Sequence, residues 1–102
     1  HVLAELYAAL TSLPLQPPIA ASTARRMVRD NVESAIQVVA LSRRNYSRVL
    51  DDMAAGDLRG PSIYDALCVR AAKEAQVDRL LTLEVAHFRR LWPDAGDVIQ
   101  EP

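Results

Sequence analysis

The sequence predicts an α/β protein, with helices packed on a mostly parallel sheet in a single domain spanning residues 1–102. Amphipathic helical segments alternate along the chain with short apolar runs. Those runs, at residues 35–41 and 79–83, show almost no polar alternation, which is typical of strands covered on both faces. A length of 102 residues, of which 50% are hydrophobic and 25% charged, suits one modest hydrophobic core.

The N-terminal part of the chain is predicted to hold two helices and the first strand. Large apolar residues recur on one face over residues 2–13, which predicts an amphipathic helix ended by the prolines that follow. Ser22 is predicted to cap a second helix that runs to about Glu33. The β-branched run Ala35–Leu41 is predicted to form a buried strand.

Two longer helices are predicted next. Ser42 can cap a helix over Arg43–Ala55, which should end at Gly56. After a turn, Ser62 is predicted to cap the helix that carries Asp65.

The last third of the chain is predicted to return to the sheet. Arg79–Leu83 is predicted as a second apolar strand, so that Leu83 and Glu84 lie at its carboxyl end, where open parallel sheets bind ligands. A short helix over Val85–Trp92, ended by Pro93, and an edge strand at Val98–Ile99 complete the expected order.

Composition limits the classes of function. A formal net charge of -1 gives no global basic field for nucleic acid. The single cysteine, Cys68, cannot form an internal disulfide, so a reducing, cytoplasmic location is expected. No apolar run is long enough for a membrane span, and no basic-then-apolar signal peptide opens the chain. The chain starts with His1 rather than Met, and starts in a predicted helix, so either processing or missing upstream residues would explain this start, and the chain is treated as incomplete on its N-terminal side.

Several kinds of catalytic site have no counterpart in the sequence. It has no Gly-rich phosphate loop, no Cys/His group with zinc spacing and no G-x-S-x-G motif. His87, beside Phe88, is expected to be structural or exposed. The remaining chemistry is that of carboxylates, which suit Mg²⁺ or Mn²⁺ and could thereby activate water.

Asp65 is the acid that the pattern distinguishes best. On a helix it lies on the side of Val69 and Ala72, whereas Arg70 and Lys73 point elsewhere. These apolar neighbours favour a carboxylate at the rim of a site. The alternative is that Asp65 only complements the helix dipole from the first turn.

Four segments, in this order, resemble the PIN domain, the nuclease fold of VapC-type toxins. They are the helix VLAELYAALT, the strand and capped helix from Val38 to Tyr46, the segment GPSIYDAL from Gly60, and DRLLTLEVAHFRR from Asp78. The third is similar to the family pattern "GgxiYDal" and the last to "adrLlTlNxrHF". The resemblance covers essentially the whole chain and implies a PIN-like three-layer sandwich with a mostly parallel central sheet.

The resemblance also implies a site. Family members are Mg²⁺- or Mn²⁺-dependent ribonucleases with three or four clustered acids. Glu5 and Asp65 match two of these acids and would hold the metal, and Glu84 would assist a ligand or water. Glu84 departs from the family pattern, because many members have Asn or Asp there. From periodicity alone, Glu5 would be a solvated surface acid.

The first family acid, an Asp on an opening strand, has no counterpart in the chain, so the domain is expected to lack its N-terminal strand. The expected function is that of an endoribonuclease of the toxin–antitoxin type, with an RNA substrate, a small antitoxin partner and a homodimeric state. Arg89 and Arg90 are candidates for contact with RNA phosphates, or else belong to a solvated face. The alternative function is that of a truncated or degenerate PIN domain that binds protein or RNA without catalysis.

Overall fold

The computed structural model describes residues 1–102, which form two compact units, His1–Val38 and Val39–Pro102. Helices account for 62% of the residues, and the two strands are each two residues long. No helix combines the length and the apolar composition that crossing a membrane requires.

The N-terminal unit contains two helices. Helix α1 spans Val2–Ser12, and α2 spans Ala21–Val28 and continues as one π-helical turn over Arg29–Glu33. The two helices pack against each other, and Ala24 and Val28 of α2 are buried. Both predicted helices are therefore confirmed. The cap is not at Ser22, because α2 starts one residue earlier, at Ala21.

The C-terminal unit is built around two helices of equal length. Helix α3 spans Arg43–Ala55, as predicted, and α4, the predicted helix that carries Asp65, spans Ser62–Glu74. Val49 and Met53 of α3 form a buried apolar cluster with Leu67 of α4. Non-local packing of this kind, rather than helix propensity alone, stabilises short helices in proteins.

Polar contacts at the two helix starts test the predicted caps. The Ser42 hydroxyl accepts a 3.2 Å hydrogen bond from the Asn45 amide, which confirms the cap of α3. Ser62 does not cap α4: it is the first helical residue, and its hydroxyl donates to the Arg59 carbonyl at 2.8 Å. Arg70 of α4 then donates from Nε to the Asn45 side-chain oxygen at 2.9 Å, which adds a polar link between α3 and α4.

The sheet is small. Strand β1, Leu80–Leu81, pairs in parallel with β2, Ile99–Gln100, and Leu80 is in register with Ile99. Helix α5, Val85–Leu91, and a 3₁₀-helix, Pro93–Val98, form the connection between the strands. The predicted strand and short helix near residues 79–92 are thus present in shortened form, and the final strand lies one residue later than predicted.

The predicted fold class is wrong. A PIN-like three-layer sandwich needs a central sheet, but Ala35–Leu41 forms a turn followed by irregular chain, not a strand. Ile36 and Val38 are 58% and 49% exposed, so no layer covers them. β-Branched composition favours a strand only where a pleated, half-buried surface and a pairing partner exist. Here β1 and β2 pair only with each other.

The burial of Ile99 gives a test of this architecture. Ile99 is fully buried, and an alanine there should leave a cavity beside β1. We expect Ile99→Ala to lower the free energy of unfolding by about 2–5 kcal/mol. Urea titration followed by the fluorescence of Trp92, the only tryptophan, measures this loss.

Leu83→Ala is the matched control, because Leu83 is 86% exposed and its truncation should change stability by less than about 0.5 kcal/mol. Equal effects of the two substitutions would contradict the placement of Ile99 in the core.

Candidate metal centre

Three potential metal ligands come together in the C-terminal unit. They are Asp65 in the first turn of α4, Glu84 at the residue before α5, and His87 in the first turn of α5. One ligand atom from each residue lies within 4.8 Å of the others. The three residues therefore form a group that could hold a metal ion.

Hydrogen bonds of Thr82, just after strand β1, fix the position of Glu84. The Thr82 amide donates to the Gln100 carbonyl at 3.0 Å, which continues the pairing of β1 with β2 by one residue. The Thr82 hydroxyl then accepts from the Glu84 amide at 3.1 Å, and the chain turns into α5. Residues three apart share a helix face, so Glu84 and His87 lie on the same side of this turn.

Asp65 reaches this group from a different helix. Its carboxylate lies 3.0 Å from His87, between Oδ2 and Nε2, where α4 packs against α5. The side chains are partly shielded, with 38% of Asp65 and 24% of His87 exposed. A contact between such partly desolvated groups is stronger than one on the open surface.

The contacts of the two ring nitrogens of His87 indicate which of them carries the proton. The Arg90 guanidinium has a nitrogen, Nη2, at 3.5 Å from Nδ1 of His87. The ionised Asp65 carboxylate can only accept, so its 3.0 Å contact requires a proton on Nε2, and a neutral ring then has its lone pair on Nδ1, facing Arg90. In this tautomer His87 donates its hydrogen bond to Asp65.

This tautomer decides how the group can bind an ion. Nε2 of His87 becomes a ligand only if its proton moves to Nδ1, which would end the acceptor role toward Arg90. Asp65 and Glu84 are the hard oxygen donors, and His87 can instead orient the Asp65 carboxylate through its hydrogen bond. Only the second arrangement keeps the hydrogen bond between His87 and Asp65, whereas the first replaces it with two bonds to the ion.

Basic side chains lie next to these ligands. Glu84 and His87 line an open pocket of about 530 Å³, together with Arg89, Arg90 and Glu101. Arg89 and Arg90 are in the last turn of α5, where cations also complement the helix dipole. The pocket thus contains two possible metal ligands and two guanidinium groups that could bind a phosphate.

Only some of the predicted site residues lie close together in the structure. Asp65 and Glu84 lie together, whereas Glu5 is an exposed residue of the N-terminal unit, with Oε1 3.4 Å from Nε2 of His1. The role of Glu5 as a metal ligand stays a prediction. His87, which the sequence analysis treated as structural or exposed, belongs to the group. The Glu-x-x-His spacing of residues 84–87 is the signal that could have identified it.

Comparison with known proteins adds no family. No protein family, curated protein or solved structure matches this chain. The resemblance to PIN domains therefore remains one of short motifs.

Metal binding should stabilise the C-terminal unit. At a Mn²⁺ concentration of about ten times Kd, mass action would add about 1.4 kcal/mol of stability. In a small domain this raises the unfolding midpoint by about 4 °C or more. Thermal melts with and without Mn²⁺ measure the shift, which Glu84→Gln should reduce.

Asp78→Asn provides the control, since Asp78 is an exposed acid of the same unit outside the group. If Asp78→Asn reduces the Mn²⁺-induced rise in melting temperature as much as Glu84→Gln does, the ion binds surface acids non-specifically. Absence of any shift at 10 mM Mn²⁺ would contradict a functional metal centre.

Proposed function

We propose that this protein is a Mg²⁺- or Mn²⁺-dependent endoribonuclease of the toxin–antitoxin type. The observation that supports this best is the group formed by Asp65, Glu84 and His87, two of which, Glu84 and His87, line an open pocket with two arginines. Carboxylates that hold a divalent ion and cations that bind phosphate are the parts that phosphodiester hydrolysis requires.

Each residue has a distinct part in this proposal. Asp65 and Glu84 would hold the ion, and His87 would orient Asp65. A bound divalent ion supplies Lewis acidity, which makes water a better nucleophile at neutral pH. Arg89 and Arg90, which line the pocket with Glu84 and His87, would bind the phosphate and offset the negative charge that develops on its oxygens.

The choice of RNA, and of partners, is supported by the sequence motifs. The segments GPSIYDAL and LLTLEVAHF, which carry Asp65, Glu84 and His87, are similar to VapC-type ribonucleases. By the same resemblance we propose a small antitoxin as partner, a homodimer and activity in the cytoplasm.

The second candidate is a non-catalytic binding module, the alternative that the sequence left open. The hydrogen bond between Asp65 and His87 favours it, because the two side chains satisfy each other without an ion. In that case the pair would only hold α4 against α5.

Asp65→Asn separates the two functions. The substitution keeps the side-chain volume and removes the charge, so a nuclease should lose at least about 100-fold in Mn²⁺-dependent RNA cleavage. If Asp65 only stabilises the helix, we expect a loss of about 0.3–1 kcal/mol in stability and no change in cleavage. The assay uses a mixed RNA pool with Mn²⁺ or EDTA, and single-stranded DNA in parallel.

Asp78→Asn is again the control and should cleave as the unaltered protein does. Cleavage that persists in EDTA, or that is equal in Asp65→Asn and the unaltered protein, would overturn the proposed mechanism. No cleavage by the unaltered protein would favour the binding module.

A further inference from the structure

A second pocket of the C-terminal unit lies among α3, α4 and α5 and has a different chemistry from the metal centre. Its volume is about 240 Å³, and aliphatic side chains, including Met53, Leu58, Val69 and Leu91, line it together with charged ones. No aromatic side chain lines it. The cavity therefore offers aliphatic contacts beside charged groups, without a surface on which a nucleobase could stack.

Three cations and one acid complete the lining: Arg70, Lys73, Arg90 and Asp52. Arg70 is already engaged, because it forms an ion pair with Glu74 and donates to Asn45. No carboxylate lies within ion-pairing distance of Lys73 or Arg90. A pocket with aliphatic walls and two cations that lack an acidic partner is complementary to a ligand that combines aliphatic groups with negative charge.

Lys73 is held in place at this pocket. Its Nζ lies 5.2 Å from the ring centroid of Trp92, which is a cation–π distance. This contact restrains a long side chain that would otherwise lose rotamer entropy on binding a partner. It also makes the only tryptophan a reporter of events at Lys73.

The size of the pocket indicates what kind of ligand it takes. Pockets that enclose drug-sized molecules have volumes of about 300–1,000 Å³, so about 240 Å³ suits one or two aliphatic side chains. We infer that this pocket binds an acidic peptide segment of a partner protein, with a leucine-type side chain in the cavity and neighbouring carboxylates at Lys73 and Arg90. This inference does not depend on metal binding or on nuclease activity.

The test measures peptide binding in EDTA, so that the metal centre has no part in it. The probe is a fluorescein-labelled nonapeptide in which two leucines are flanked by aspartates and glutamates. Fluorescence anisotropy follows its binding to the intact protein. We expect saturable binding that Lys73→Glu weakens about tenfold and that high salt weakens as well.

Leu58→Ser tests the apolar half of the pocket, and because Leu58 is 43% exposed, its substitution should leave the fold intact. The control is Arg79→Glu, which makes the same kind of charge reversal at an exposed residue outside the pocket. Two matched peptides replace either the leucines with serine or the acids with their amides, and both should bind at least about tenfold more weakly.

Equal binding of the three peptides, equal effects of Lys73→Glu and Arg79→Glu, or no binding at millimolar peptide would each overturn the inference. Single-stranded RNA is the remaining competitor. No displacement of the peptide by RNA, together with equal RNA affinity in Lys73→Glu and the unaltered protein, would place RNA elsewhere and leave the pocket to the peptide. A Lys73-dependent affinity for RNA that exceeds that for the peptide would overturn it.

Discussion

The packing of α4 between α3 and α5 is the constraint on which the rest of the C-terminal unit depends. One side of α4 places Leu67 against Val49 and Met53 of α3. The side that carries Asp65 also carries Val69 and Ala72, which are both buried. Buried apolar residues on two sides fix the rotation of α4 about its axis. Asp65 therefore has a defined direction at one end of the α4–α5 contact.

Both candidate sites follow from this arrangement. The metal centre forms where the start of α4 meets the start of α5, and Glu84 joins it because the chain leaves β1 at the same place. The second pocket opens further along α4, at Arg70 and Lys73. Arg90 lines this pocket and also the pocket that contains Glu84 and His87, so one arginine borders both. A ligand in either pocket would therefore change the surroundings of Arg90.

Local signals predicted the helices, whereas the sheet depended on distant partners. The cap at Ser42, the stop at Gly56 and the turn before Ser62 act within a few residues, and helices formed at both places. The run Ala35–Leu41 has strand composition, but strand formation requires a pairing partner that the sequence pattern does not supply. Among the site residues, the face of α4 identified Asp65 and the motif resemblance identified Glu84. His87 was missed because its partner, Asp65, is 22 residues away in sequence.

Paramagnetic line broadening tests the metal centre most directly. The chain has two histidines: His87 in the group, and His1, which contacts Glu5. Nuclear magnetic resonance of the tag-free protein with ¹⁵N-labelled imidazoles can follow both rings while Mn²⁺ is added below stoichiometric amounts. Binding at Asp65 and Glu84 predicts that the His87 signals broaden first and that Asp65→Asn abolishes this selectivity. Broadening of His1 before His87, or of neither, would contradict the account.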